Sequence, residues 1–145
     1  MRKFALVCCA PFLLTLCALA QSAEISGAYA HLTPGRDGFD ATAAYLATTH
    51  LGLEGDVGAY YATGDHVYNI LGGPKVMFST HDALFTPFVH LLVGAVHEGS
   101  NYVGVLPGGG VDVGSKTIAL RLKLDLMHFN SGTHARAGLG VVFRW

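Results

Sequence analysis

Residues suited to nucleophilic chemistry lie close together near the end of the chain. His128, Ser131 and His134 are spaced three residues apart, so an imidazole could act as the base toward the serine hydroxyl. A catalytic serine also needs a third group that orients the base, and no acidic residue follows His134. We therefore interpret these residues as a polar turn, and we predict no catalytic residues and no enzyme activity.

Histidines are the second group of side chains that could do chemistry, because neutral imidazoles bind zinc, copper and nickel. Five of them stand beside polar breaks that would meet at one end of an up-and-down sheet: His31, His66, His97, His128 and His134. No two of them have an obvious chelating spacing. We expect solvated side chains at these positions, and we predict no metal site and no cofactor.

Charged side chains alternate with leucine in the stretch from Thr117 to Phe129. Arg121, Lys123 and Asp125 occupy every second position, and leucines occupy the positions between them. Successive side chains of a strand point to opposite faces. This strand therefore separates a polar environment from an apolar one.

The composition indicates which two environments these are. The 145 residues suit one domain, and only 13% of them are charged, where roughly a quarter is usual in soluble domains. A net charge of -1 gives no electrostatic reason to expect nucleic acid. No apolar run of about 18 residues follows the first segment of the chain, so the remaining way to span lipid is a closed barrel.

The first 20 residues resemble a cleavable signal peptide. Met1, Arg2 and Lys3 are followed by an apolar segment and by Ala-Leu-Ala at 18–20. We predict cleavage after Ala20, although Ala23 stays an alternative, and export of residues 21–145. A membrane anchor is disfavoured because the segment is short and contains Pro11. All three cysteines lie within this leader, so the exported part has no disulfide and no cysteine metal site.

Eight segments of alternating pattern follow, separated by short polar breaks. They are 24–32, 39–47, 51–62, 67–79, 84–98, 105–115, 117–130 and 134–145. Most are long enough to cross the hydrocarbon as tilted strands. Among the breaks are TPGRDG, after Leu32, and a glycine-rich passage from Gly99 to Gly104. The sequence therefore predicts an all-β fold, an eight-stranded antiparallel up-and-down transmembrane β-barrel over residues 21–145.

The facing of the strands follows from the cost of charge in lipid. An Arg or Lys on the lipid side near the midplane costs roughly 2–4 kcal/mol, so Arg121 and Lys123 should point into the lumen. Eight strands leave room only for side chains, and buried charges need partners. We predict that these charges form an ion-paired plug, and a very low ion conductance stays an open alternative. Its members are Glu54, Asp56, Lys75, Asp112, Arg121, Lys123, Asp125 and Arg136.

Glycine and aromatic residues support the barrel. The runs 108–110 and 138–140 place glycine within strands, where it permits curvature and close approach of lumen side chains. Aromatic residues suit headgroup depth at two rims. Tyr61 and Tyr68 flank one break, and Phe78, Phe85, Phe143 and Trp145 would lie at the opposite rim.

The final segment, HARAGLGVVFRW, resembles the closing strand of bacterial outer-membrane barrels. With LGGPKVMF, GGGVDV and IALRLKLDL before it, the mature chain is similar to small barrels of the outer membrane protein A/X type. The resemblance implies a C-terminal assembly signal formed by Leu139, Val141, Phe143 and Trp145, although phenylalanine is commoner than tryptophan at the end. No peptidoglycan-binding domain follows, so no tether to the cell wall is implied.

The resemblance also implies a location and partners. These are the outer membrane of a Gram-negative bacterium, its lipid and lipopolysaccharide, the outer-membrane assembly machinery and periplasmic chaperones, without nucleic acid. The expected role is structural or interactive. One alternative is a lipid A deacylase-like enzyme, although that family has its serine two residues after the histidine. Another is a soluble lipocalin-like carrier of hydrophobic ligands, which would reverse the facing and place apolar residues inside.

Overall fold

A computed structural model describes residues 22–78, 84–130 and 132–145, which form a closed barrel of eight antiparallel strands. Each strand pairs with its neighbour in the chain, and β8 pairs with β1 through residues such as Val141 and Gly27. The strands are β1 (Ser22–Leu32), β2 (Arg36–Leu46), β3 (Leu51–Ala62), β4 (Asp65–Met77), β5 (Phe85–Glu98), β6 (Ser100–Gly114), β7 (Ile118–Phe129) and β8 (Gly132–Arg144). The predicted fold class is confirmed. The described part of the chain contains no helix that is long and apolar enough to cross a membrane.

The alternation of side chains determines which face of each strand is covered. In β7 every second residue is buried, and the leucines between them are exposed on the outside of the barrel. The lumen residues predicted on the third, fourth, sixth and eighth segments point inward as well, with Asp112 inside between the outward Val111 and Val113. The wall is therefore apolar outside and largely polar inside. This is the reverse of the lipocalin-like arrangement.

The turns fall at two ends of the barrel. The near end holds Ser22 and Trp145, together with the connections β2–β3, β4–β5 and β6–β7. The far end holds the connections β1–β2, β3–β4, β5–β6 and β7–β8, which are very short. Tyr61 and Tyr68 lie at the far end with ring centroids 6.0 Å apart. The exposed rings of Phe78, Phe85, Phe143 and Trp145 lie at the near end.

Two of the predicted breaks are wrong. Gly99 alone, with φ of 64°, reverses the chain between β5 and β6, so residues 100–104 belong to a strand rather than to a turn. The break after Leu32 is limited to Thr33, Pro34 and Gly35, and it includes a cis Thr33–Pro34 bond. Strand β2 begins at Arg36 because this side chain points into the barrel and is held there by ion pairs.

Buried apolar side chains form a cluster toward each end of the lumen. A far-end cluster is formed by Ala30, Leu32, Tyr60, Val67, Leu71, Leu92, Val96, Leu106, Met127 and Phe129. A smaller near-end cluster contains Leu46, Met77 and Phe88. Most of the buried charged residues lie between these two clusters, and Arg36 lies at the far rim. The predicted signal peptide, its cysteines, the break at 80–83 between the fourth and fifth predicted segments, and Ser131 lie outside the described residues, so these points stay predictions.

Candidate functional site: the charged lumen

The eight residues predicted to fill the lumen all point inward and are brought together. None exposes more than 3% of its surface, and each makes at least one ion pair. The contacts divide them, with several further residues, into two groups. We call these groups the near cluster and the far cluster, after the closer end of the barrel.

The near cluster contains three carboxylates and three cations: Glu24, Glu54, Asp112, Lys75, Arg121 and Arg144. Its centre is Arg121, whose Nε and Nη2 each donate to Asp112 at 2.7 Å in a two-pronged pair. The same Nη2 donates to Glu24 Oε1 at 2.8 Å. Because β7 and β1 are not neighbours, this second bond crosses part of the lumen. Two-pronged guanidinium–carboxylate pairs are among the strongest polar contacts in proteins.

The other cations complete the near cluster. Lys75 Nζ lies 2.8 Å from Glu54 Oε2 and also contacts Glu24. Arg144 contacts Asp112 and donates from Nε to Glu24 Oε2 at 3.3 Å. Each carboxylate of this cluster is therefore within ion-pair distance of a cation, which offsets part of the cost of burying it.

The ring of Phe88 packs against two cations of the near cluster. Its ring centroid lies 4.5 Å from Lys75 Nζ and 4.7 Å from Arg121 Cζ, so both cations face its π-electrons. Phe88 also belongs to the near-end apolar cluster. This one side chain thus joins the charged residues to the apolar cluster at the near end.

The far cluster contains three carboxylates and two cations: Asp40, Asp56, Asp125, Lys123 and Arg136. Arg136 Nε donates to Asp125 Oδ2 at 2.7 Å, and its Nη1 donates to Asp56 Oδ1 at 2.9 Å. Lys123 Nζ donates to Asp40 at 2.5 Å and lies 3.5 Å from Asp56 Oδ2. Two neutral side chains also take part: Tyr60 Oη accepts a hydrogen bond from Arg136 Nη1, and Asn69 Nδ2 donates one to Asp56 Oδ1.

His90 lies between the two clusters. Its Nδ1 is 2.7 Å from Glu54 Oε1 in the near cluster, and its Nε2 is 2.9 Å from Asp125 Oδ1 in the far cluster. Strands β3, β5 and β7, which carry these three residues, are not neighbours in the barrel. The imidazole therefore bridges the lumen from one wall to another.

Four members of the network were missed in the sequence: Glu24, Asp40, His90 and Arg144. The first two segments contain so much alanine, glycine and threonine that their alternation gives no facing. The cost of charge in lipid could have supplied it, because Glu24 and Asp40 must point inward for the same reason as Arg121. Arg144 lies on the face of β8 opposite its apolar residues. Its inward facing could therefore be predicted from the alternation, but its partner Glu24 could not.

Two glycines make room for the far cluster. A Cβ on Gly108 would overlap the Asp125 carboxylate, and one on Gly138 would lie 3.0 Å from the Lys123 side chain. The predicted role of the 108–110 and 138–140 runs, close approach of lumen side chains, is seen at these positions. Side chains there would displace the ion pairs.

The far-end histidines are held apart by separate partners. His31 Nδ1 lies 2.7 Å from Asp37 Oδ1, and His128 Nδ1 lies 2.9 Å from Thr133 Oγ1. His134 donates from Nδ1 to the carbonyl oxygen of Thr33 at 2.7 Å. Within residues 22–78, 84–130 and 132–145, no group of three or more His, Cys, Asp or Glu side chains could hold a metal ion.

Arg36 forms a smaller ion-pair group at the far rim. Its Nη2 lies 2.5 Å from Asp65 Oδ2 and also contacts Glu98, which ties β2 to β4 and β5. The hydrogen bond from Arg36 holds the pKa of Asp65 below its ordinary value. Asp65 begins β4 beside the turn at Thr63 and Gly64, at the edge of the barrel.

Comparison with known proteins gives structural but not sequence matches. No protein-family model matches the chain, and no curated protein matches it. The N-terminal β-barrel domain of Pseudomonas aeruginosa OprF superposes with a TM-score of 0.71 at 18% identity, over 87% of this chain and 98% of that domain. The chain has the fold of the small outer-membrane barrels. The resemblance in fold that the sequence suggested is thereby confirmed.

Two further structures show that this outer-membrane barrel fold serves different proteins. Ail, the attachment invasion locus protein of Yersinia pestis, has a TM-score of 0.60 at 14% identity, over 86% of this chain and 97% of Ail. The outer membrane enzyme PagL has a TM-score of 0.55 at 12% identity, over 83% of this chain and 98% of PagL. Because the fold is shared by an enzyme and by other barrels, the role of this chain must be argued from its own residues.

Proposed function

We propose that this chain is a small integral outer-membrane barrel with a structural or interactive role and a closed, charge-filled lumen. The observation that carries the proposal is the contrast between the two faces of the wall. Leucine, valine and phenylalanine side chains cover the outside, while paired carboxylates, lysines and arginines are sequestered inside. Hydrocarbon around the barrel accounts for both faces, because it solvates the apolar exterior and excludes charge from it.

The proposed location is the outer membrane of a Gram-negative bacterium. Export would follow from the predicted signal peptide, and both ends of the mature chain would lie on the periplasmic side. The outward row Leu139, Val141, Phe143 and Trp145 on β8 would be the segment that the assembly machinery binds after periplasmic chaperones deliver the chain. Lipopolysaccharide would surround the far end.

The far end offers little surface for adhesion. Among the described residues its turns are no longer than the three residues Thr33, Pro34 and Gly35. Contacts of the barrel with partners would therefore use the wall and the rims rather than long loops. This favours a role within the membrane over the capture of large extracellular ligands.

The lumen geometry supports a closed barrel rather than a pore. Ion pairs fill its middle and buried apolar clusters lie toward both ends, so an ion would have to displace packed side chains. An open channel needs a continuous polar path, as in barrels with many more strands. We infer that the lumen conducts ions very weakly or not at all.

Fractionation and conductance test the proposal in sequence. The expressed protein should be recovered in outer-membrane fractions, should require detergent for extraction, and should migrate differently on gels before and after boiling. Purified protein in planar bilayers should give no ion steps under conditions in which a porin gives them. Recovery of a folded monomer in buffer without detergent would contradict the membrane proposal. Regular ion steps would contradict only the closed lumen.

The enzyme alternative finds little support in the described geometry. His128 Nδ1 is hydrogen-bonded to Thr133 Oγ1, and His134 Nδ1 donates a hydrogen bond to the carbonyl oxygen of Thr33. No carboxylate among the described residues is hydrogen-bonded to either imidazole, whereas a catalytic base needs such an orienting group. We therefore propose that the protein is not a lipid A deacylase. Lipid A from expressing cells should keep its mass, with a Ser131→Ala strain as the matched control; a loss of acyl chains only with the unmodified protein would reverse this conclusion.

A further inference from the structure

We propose that His90 is a proton-binding site that joins the near and far clusters, and that loss of its proton loosens the barrel. The inference concerns the interior of the protein and goes beyond the proposed membrane role. It follows from the partners of the two imidazole nitrogens and from the charges of the two clusters.

Both ring nitrogens of His90 face carboxylate oxygens. Nδ1 is 2.7 Å from Glu54 Oε1, and Nε2 is 2.9 Å from Asp125 Oδ1. An ionised carboxylate can only accept hydrogen bonds, whereas a neutral imidazole carries a proton on one nitrogen alone. Two short contacts with two carboxylates therefore require both nitrogens to donate, and the ring that does so is the imidazolium cation.

The two carboxylates are kept in their ionised form by other partners. The second oxygen of Glu54 lies 2.8 Å from Lys75 Nζ, and the second oxygen of Asp125 lies 2.6 Å from Arg136 Nη2. A carboxylate beside a cation strongly prefers the charged state. Neither acid can therefore hold the proton in place of His90 without losing an ion pair.

The charges of the clusters lead to the same state. Among the described residues, the three carboxylates of the near cluster are matched by three cations. The far cluster has three carboxylates but only two cations, Lys123 and Arg136. A protonated His90 supplies the missing positive charge and makes the buried network neutral. A neutral His90 would leave one negative charge uncompensated inside the barrel, which is costly.

The surroundings of His90 place these charges close to the ring. Lys75 stands opposite it on β4, and Gly108 stands opposite on β6 and contributes no side chain. Phe88 on the same strand lies with its ring centroid 5.9 Å away. The positive charges of Lys75, Arg121 and Arg136 oppose protonation of His90, but each of them is already paired with a carboxylate. Glu54 and Asp125 contact the ring directly, and their negative charges favour its protonation.

The bridge has a structural consequence. In the described residues, the ion pairs of the near cluster and those of the far cluster share no other member, so His90 is the link between them. When the proton leaves for bulk water, a nitrogen lone pair faces a carboxylate at under 3 Å. That contact changes from attractive to repulsive, while the nitrogen that keeps its proton still donates to the other carboxylate, so only one of the two clusters stays bonded to the ring. The stabilisation is present at low and neutral pH and is lost as the pH rises.

The protonation state can be read directly. Refolded barrel in micelles, with a heat-shifted gel migration that establishes the fold, is labelled with nitrogen-15 in its histidines. At about pH 8, where an ordinary histidine is neutral, we expect two proton-bearing ring nitrogens at His90. His90→Gln assigns the resonance. A His90 ring with only one proton-bearing nitrogen at this pH would overturn the proposal.

The link itself is tested by stability against pH. In lipid vesicles, the urea midpoint of the unmodified protein should fall between about pH 6 and about pH 9, and His66→Gln should behave in the same way. His90→Gln should start at a lower midpoint and change little over this range. Adding Asp125→Asn to His90→Gln removes the uncompensated negative charge and should raise the midpoint again. Equal pH slopes with and without His90, or no recovery in the double variant, would overturn the proposal.

Discussion

Arg136 Nη1 lies 2.9 Å from Asp56 Oδ1, although the two residues belong to β8 and β3, which are separated by β1 and β2 around the barrel. The same guanidinium also pairs with Asp125 on the neighbouring strand β7. One side chain thus connects three parts of the wall through the lumen. Such contacts fix the shape of the barrel in a way that the hydrogen bonds between adjacent strands do not.

Truncation of this contact should be among the most harmful single changes. Arg136→Met removes the cation and leaves Asp56 and Asp125 buried without it, so we expect a loss of about 3–5 kcal/mol in the free energy of unfolding. Asp56→Asn combined with Arg136→Met should cost less than the sum of the two single changes. Urea unfolding in vesicles measures these values. Asp37→Asn, which affects an exposed pair at the rim, is the control and should change little.

The facing of β7 gives a second test. Leu124 is outward and near the middle of the strand, with 71% of its surface exposed. Leu124→Arg should lower the free energy of unfolding by about 2–4 kcal/mol, because the charge enters the hydrocarbon. His128→Arg, outward at the far rim of the same strand, should cost about 0–1 kcal/mol. Equal costs at the two depths would mean that lipid does not surround this face.

The barrel could be predicted from the sequence because lipid penalises errors of facing so strongly. The alternation of Arg121 and Lys123 with leucine leaves one acceptable register, and this register fixes the interior of β7. The partners could not be predicted, since His90 meets Glu54 and Asp125 across the lumen and not between neighbouring strands. Sequence spacing carries no information about such contacts. The one-residue turn at Gly99 could not be predicted either, because nothing in residues 99–104 indicates that one residue can reverse the chain.

Glycine positions in β8 and β1 give a third test. A Cβ on Gly140 would overlap the carbonyl oxygen of Gly27 and lie 2.6 Å from Ala28 Cα, so backbone would have to move. A Cβ on Gly27 would meet nothing within 4 Å. Gly140→Ala should therefore destabilise the closure between the last and first strands, whereas Gly27→Ala should be tolerated. Urea midpoints compare the two, and a harmful Gly27→Ala with a silent Gly140→Ala would contradict the packing described for this seam.

The far-rim pair of Arg36 and Asp65 predicts a titration. The hydrogen bond from Arg36 lowers the pKa of Asp65, so this contact is intact above the ordinary aspartate range and is lost as the pH falls through the lowered pKa. Arg36→Gln should move the pKa of Asp65 upward. Carboxyl carbon-13 shifts followed against pH measure the change. The pKa of Asp37, which is lowered by His31, is the control and should stay where it is.

The apolar layer at the far end gives the last test. Phe129 is 2% exposed and stacks on His134 with ring centroids 4.8 Å apart. Phe129→Ala leaves a cavity that the ion pairs below cannot fill, and we expect a loss of about 3–5 kcal/mol in the free energy of unfolding. Phe39→Ala removes an outward ring that is 69% exposed, and mobile lipid tails can occupy the space, so its loss should be smaller. If the two changes cost the same, the far-end cluster would not be the packed layer that closes the lumen.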